Sequence, residues 1–315
     1  FAWASRSPIR CCWQMAMPDT PAPAGNLYAL ELRRDARRER WVLLGLSGPA
    51  LLLLVVMMIL PVAWLFGLSF VGDDGHLTLA HYQRMLDQPS FRRIFLTTFQ
   101  VSVITTVLCV LTGYPLAYLI AHLPPRAANL CLIAVLLPFW TSILVRTYAW
   151  LVLLQRQGLI NQWGQSLGLW DEPLALVHNL TGTLIGMVHI MLPFLVLPLL
   201  GAMRAIDMNL IKAASSLGAS PARAFRTVFL PLSLPGLIAG SVIIFILCLG
   251  FYITPAVLGG GKVIMVSNQI ANDIEMFFNW GAASALGVVL LTITLGLLWL
   301  AGRLMRLDRM LGGVH

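Results

Sequence analysis

Eleven residues separate His178 from His189, which would place both near one face of a helix, and histidine is the commonest metal-ligating side chain. A metal centre would need further ligands close by, and the sequence offers none beside them. Cys109, Cys131 and Cys248 stand singly in apolar stretches, where a thiol packs as a small hydrophobe. Gly261-Lys262 lacks both the earlier glycine and the following Ser/Thr of a phosphate-binding loop, so the chain is not expected to hydrolyse ATP by itself. No Asp or Glu falls inside a long apolar run, which leaves no carboxylate pair for acid–base or two-metal work. No catalytic residue, no metal ligand and no cofactor of its own is assigned to this chain. Arg146 is the one charge within such a run. At membrane depth it would cost about 2.5–3.5 kcal/mol, so it should face protein or a polar cavity. There it would either bind carbonyls freed by Pro138 or another helix, or ligate an anion. Phe139, Trp140, Tyr148, Phe251 and Tyr252 offer aromatic faces to a cation, and Thr254 offers a hydroxyl. With Arg146 they form the candidate solute-contacting set, with plain packing as each aromatic residue's alternative role.

These residues are held by elements that composition identifies. Of 315 residues, 58% are hydrophobic and 11% charged, and the mean hydropathy is +0.82. Soluble domains carry roughly 25% charged residues, so a soluble enzyme and a disordered chain are both excluded. Trp41–Phe70, Ile94–Ala121, Leu180–Met203, Pro235–Leu258 and Trp280–Gly302 contain no Asp, Glu, Lys or Arg, and Leu130–Leu154 contains only Arg146. Each run reaches the ~20 residues needed to span a bilayer as a helix, and strict strand alternation is absent. The expectation is an all-α integral membrane protein with six transmembrane helices over residues 41–302. Residues 1–26 are expected to be a disordered or artefactual leader, 27–40 a basic amphipathic segment on the membrane surface, and 303–315 a tail.

The segments between the runs set the orientation. Those on the side of both termini hold fifteen Lys/Arg, against five on the other side. The positive-inside rule places the richer side, and with it both termini, in the cytoplasm. The net charge of +8 is thereby a topology signal and not a nucleic-acid footprint. The acids Asp73, Asp74, Asp87, Asp171, Glu172, Asp273 and Glu275 fall outside, where they could attract a cation or dock a binding protein, with solvated loop charges as the plain reading for most.

The cytoplasmic segment 204–234 is ordered in its sequence. Asp207 is placed to cap a helix over Met208–Leu217, Gly218 stands where a left-handed C-cap is needed, and Ser220-Pro221 opens a second helix. Ala213 and Ala214 lack bulk, so another surface can approach closely. Lys212-Ala213-Ala214-x-x-Leu217-Gly218-Ala219, followed after nine residues from Gly218 by Val228-x-Leu230-Pro231, resembles the coupling-loop signature of binding-protein-dependent ABC importer permeases. It departs at Lys212, where that family usually has Glu. Leu137–Ser142 through Tyr148, Gln157-Gly158-x-x-Asn161, Leu192-Pro193-Phe194 and Gly250–Pro255 with Leu258–Gly260 are similar to the spermidine/putrescine subfamily, in particular to the first of its two permeases.

The resemblance implies a type I importer permease fold in the bacterial inner membrane. It also implies pairing with a second homologous permease, two ATPase subunits that bind ATP and Mg, and a periplasmic solute-binding protein. Lys212, Ala213, Ala214, Leu217, Gly218 and Ala219 would contact the ATPase. The implied solute is a polyamine, with a small organic anion or amino-acid derivative as the alternative on account of Arg146. A secondary transporter is the remaining class, and it should show inverted repeats and intramembrane carboxylates, which are not seen.

Overall fold

The computed structural model describes the backbone of residues 24–72 and 75–311, and side chains from Gly45 to Arg303 with the exception of residues 46, 73 and 74. The expected leader therefore lies outside the described residues except for the last turn before Leu27, and so do the side chains of the basic segment 27–40. Among the described residues no strand forms beyond one isolated bridge, Val71 to Leu77. The chain divides near Val62 into two units. Helix α1, Ala24–Leu68, contains the first apolar stretch, Ser47–Leu68, in which Leu51 through Leu60 are all exposed. Such a surface is compatible with hydrocarbon and not with water.

In the second unit the elements follow as α2 (Ala80–Asp87), α3 (Pro89–His122), α4 (Pro125–Leu136), a 3₁₀ turn (Leu137–Trp140), α5 (Ile143–Leu154) and α6 (Leu159–Ser166). Then come α7 (Leu180–Arg204), α8 (Met208–Ser216), α9 (Pro221–Ala224), a π-turn (Phe225–Phe229) and α10 (Leu230–Leu249). The last are α11 (Ile253–Leu258), α12 (Val266–Glu275) and α13 (Trp280–Leu311).

The core is built by α3, α7 and α10. Val101 and Cys109 of α3, Met187, Met191 and Leu195 of α7, and Ile244 and Cys248 of α10 form one fully buried cluster. A second joins Ala117 and Ile120 of α3 to Val196, Leu199 and Met203 of α7 and to Phe229. Water expulsion does not drive helices together in lipid, so close backbone approach must. Gly236 and Gly240, spaced i to i+4 on α10, provide it. A side chain at Gly236 would strike Ala202 Cβ and come within 2.9 Å of the Pro198 carbonyl, and one at Gly240 would meet the Leu195 backbone at 3.2 Å. The hydroxyls of Thr98, Ser102 and Thr106 in α3 are satisfied within the helix: Thr98 donates to Ile94 O, Ser102 to Thr98 O and Thr106 to Ser102 O, each at 2.8 Å.

Among the described residues five helical stretches are long and apolar enough to cross a membrane: 47–68, 89–122, 180–204, 221–249 and 280–303. The sixth expected span is not straight. Pro125–Trp140 and Ile143–Ser166 meet at 100° and count as one span only when taken together. Pro138 lies in the 3₁₀ turn, and the extended Thr141 folds back on it, its hydroxyl donating to Pro138 O at 2.7 Å and its amide at 3.1 Å. The uncharged run Pro235–Leu258 also differs from the helix observed. The helix starts at Pro221, capped by Ser220, and stops at Gly250. It begins early because Arg223 and Arg226 lie on the exposed side of its first turns while Ala224 and Phe229 are buried.

Candidate functional site

The first site is an elbow between α7 and the start of the α9–α10 helix. Asp207 caps α8 by accepting from the Asn209 amide at 2.9 Å. At the other end the Gly218 amide donates to Ser215 O at 3.0 Å and the Ala219 amide to Ala214 O at 3.1 Å. These are the two bonds of a Schellman cap, and Gly218 takes the left-handed conformation the cap demands, φ +85°. Ser220 then accepts from the Arg223 amide, and Pro221 starts the next helix.

The elbow is amphipathic. Ile206 and Ile211 pack onto the second core cluster, whereas Met208, Leu210 and Leu217 are exposed, Leu217 by 89%. Lys212, Ala213 and Gly218 are exposed and Ala214 and Ala219 half-buried, so the predicted coupling residues form one contiguous segment. From Ala213 to Ala219 the exposed leucine and the alanines leave the outer face of the elbow free of bulky polar side chains.

Behind the elbow lies an aromatic bearing that sequence reading missed. The π-turn stacks Phe225 on Phe229 at 5.8 Å, and Tyr118 of α3 meets both edge-on at 5.5 and 5.2 Å. Tyr114 bonds Ser233 of α10 at 3.0 Å. One extra residue in a helical turn leaves few sequence traces, and the only signal is the aromatic spacing of Tyr114, Tyr118, Phe225 and Phe229.

The second site is the break between α10 and α11. A helix interrupted at membrane depth leaves carbonyls that need donors. Ser267 and Asn268 of α12 supply them, Ser267 Oγ to Phe251 O at 2.7 Å and Asn268 Nδ2 to Tyr252 O at 3.1 Å. Thr254 is fully buried, and its hydroxyl lies 3.4 Å from that of Thr147 on α5. The break therefore packs on the helix that carries Arg146 and Tyr148. The other predicted contact residues spread out: Trp140 is 87% exposed, Phe139, Tyr148 and Tyr252 are exposed, and Phe251 is half-buried against the first core cluster. Phe139 packs edge-on against Phe194 at 5.6 Å. Arg146 is half-buried, and its Nε and Nη1 are buried without a hydrogen-bond partner among the described residues. No hydrogen bond from the Arg146 guanidinium to a backbone carbonyl forms among the described residues.

The two histidines do not share a helical face. His178 precedes α7 with φ +60° and lies against Gly260, while His189 accepts a hydrogen bond from Trp150 Nε1 at 3.1 Å. Trp150 and His189 line a largely apolar cavity of about 460 Å³ with Thr112 and Thr181.

Comparison with known proteins places this arrangement. Residues 46–307 match the model of the family described as "Binding-protein-dependent transport system inner membrane component". The chain is 32% identical over 262 residues to the spermidine/putrescine transport system permease protein PotB of Escherichia coli strain K12, covering 80% of this chain and 94% of that one. It is 23% identical over 258 residues to a Salmonella typhimurium permease that bears a 2-aminoethylphosphonate transport-system name, covering 79% and 90%. In fold it is similar to a chain of a bacterial alginate ABC transporter solved in complex with its pentasaccharide-bound periplasmic protein, at a TM-score of 0.71 and 17% identity, covering 87% and 96%. Matched along most of its length and built on the same helical frame, the chain belongs to the family of inner-membrane permeases of binding-protein-dependent ABC importers.

Proposed function

We propose that this permease forms half of the path by which a polyamine such as putrescine or spermidine enters the cell. It does so beside a second homologous permease, supplied by a periplasmic solute-binding protein and driven by two ATPase subunits that bind ATP and Mg. The observation that carries the solute is the 32% identity to a spermidine/putrescine permease over 80% of the chain. The fifteen-to-five bias of basic residues supports cytoplasmic termini and a cytoplasmic elbow. Lys212, Ala213, Ala214, Leu217, Gly218 and Ala219 then contact an ATPase, and closure of the ATPase pair biases the bundle between two states through the elbow. A cation passes on the exposed faces of Trp140, Tyr148 and Tyr252. The unpartnered Arg146 guanidinium favours a second reading, import of a small organic anion. Calorimetry of the cognate solute-binding protein tests the two. Tight putrescine or spermidine binding is expected, and binding only to a carboxylate or phosphonate would overturn the polyamine and make Arg146 a solute contact.

A further inference from the structure

Two cavities open at the end of α3 away from the elbow. One, of about 700 Å³, is lined by Ser90, Arg93, Thr97, Gly261, Lys262 and Gln269 among others. Its neighbour, of about 330 Å³, is lined by Arg84, Gln88, Asp273 and Asn279 and shares Ser90, Ile94 and Gln269 with the first. They are therefore one continuous concave surface, with Gln269 on the ridge between them. Its charge is lopsided. Arg84, Arg93 and Lys262 line it as cations, and Asp273 is the one acid among the lining residues. Asp273 is buried, and its Oδ1 accepts from Gln269 Nε2 at 2.9 Å. Burial pushes its carboxyl above the ordinary range, against the smaller opposing effects of Gln269 and Arg84; even fully ionised it leaves three cations facing one acid. Arg93 and Lys262 are exposed and form no ion pair among the described residues. Lys262 is presented by two successive left-handed glycines, Gly260 at φ +56° and Gly261 at φ +75°.

A net-positive hollow repels a polyamine, so this surface does not belong to the solute's own route. We propose that it is a docking site for an acidic side chain of the solute-binding protein, whose carboxylate lies between Arg93 and Lys262 while Gln269, held by Asp273, supports it from the ridge. The inference rests on the importer reading above. Exposed charges at a docking rim act mainly on encounter rate and fade with salt.

The test uses the complete complex, both permeases with both ATPases in nanodiscs, and the purified solute-loaded binding protein. Arg93→Glu with Lys262→Glu should weaken binding about tenfold or more, chiefly through the on-rate, with the deficit shrinking as salt rises. In reconstituted uptake the same variant should raise the binding-protein concentration for half-maximal rate and leave the maximal rate intact. Arg156→Glu, an exposed cation lining neither cavity, should leave both unchanged. Should the reversed pair fail to assemble, Arg93→Gln with Lys262→Gln should still weaken binding about threefold. Unaltered affinity in the double variants, a lower maximal rate at unaltered affinity, or an equal loss in Arg156→Glu would each overturn the docking site while leaving the importer reading in place. A wild-type complex that binds no solute-binding protein would overturn both.

Discussion

Gly218 is where the proposed coupling through the elbow would depend on a single backbone angle. A side chain there would find nothing within 4 Å, so space in this chain cannot explain a glycine. What glycine provides is the left-handed φ of +85°. An L-residue pays about 1–2 kcal/mol in that region, a β-branched residue more, and asparagine less because it visits the region readily. If the cap relaxes instead, the Gly218–Ser215 and Ala219–Ala214 bonds are lost, at about 0.5–1.5 kcal/mol each. Gly218→Ala should therefore lower the population of the native elbow by about 5- to 30-fold relative to competing exits from α8, at about 1.4 kcal/mol per decade. The expected order of coupling is glycine, asparagine, alanine, valine, with valine uncoupling ATP hydrolysis from uptake without preventing membrane insertion. The assay is solute-stimulated ATPase against uptake in proteoliposomes holding the whole importer. Asparagine is larger than alanine, so Gly218→Asn performing worse than Gly218→Ala would show that a partner's groove and not φ selects glycine. A Gly218→Val variant with normal uptake and ATPase would remove the elbow from the mechanism.

Gly236→Val should strike the α7 backbone and destabilise the bundle by about 1–3 kcal/mol, read as a lower thermal midpoint of the detergent-solubilised complex. Asn268→Ala strips the donor from Tyr252 O and the acceptor from the Met265 amide, for about 1–3 kcal/mol and reduced uptake; unchanged uptake and midpoint would show the break to be held otherwise. Arg146→Gln should leave polyamine affinity and uptake within about twofold if the guanidinium is not a solute ligand, whereas loss of an anionic solute's uptake would establish the second reading. Asp273 has its carboxyl raised by burial, so the folded state holds the proton more tightly than the unfolded one. Its contribution to stability is present at low pH and is lost as pH rises from about 4, the ordinary carboxylate range, through the folded value. Asp273→Asn should flatten that part of the stability–pH profile, measured by thermal unfolding across pH.

Sequence by itself determined what is decided within a turn or two of chain. Uncharged runs dictate membrane helices because a bilayer offers no other partner for apolar side chains or backbone. The elbow was legible for the same reason: Asp207, Gly218 and Ser220-Pro221 each act on amides or carbonyls no more than five residues away. The helix end at 250 and the bend at Thr141 were not legible from charge alone, since an apolar run continues through a break as readily as through a helix. Those boundaries depend on distant donors and neighbours. Asn268 reaches back sixteen residues to Tyr252, and Thr98 accepts the Val266 amide across 168. His178 and His189 illustrate the converse: a spacing that would share a helical face does so only if one helix contains both, and α7 begins after His178. Arg93, Lys262 and Gln269 become a surface only when α3, the glycine loop and α12 converge. Local hydrogen bonds write themselves into adjacent residue types, whereas the meeting of three elements is fixed by packing of the whole bundle.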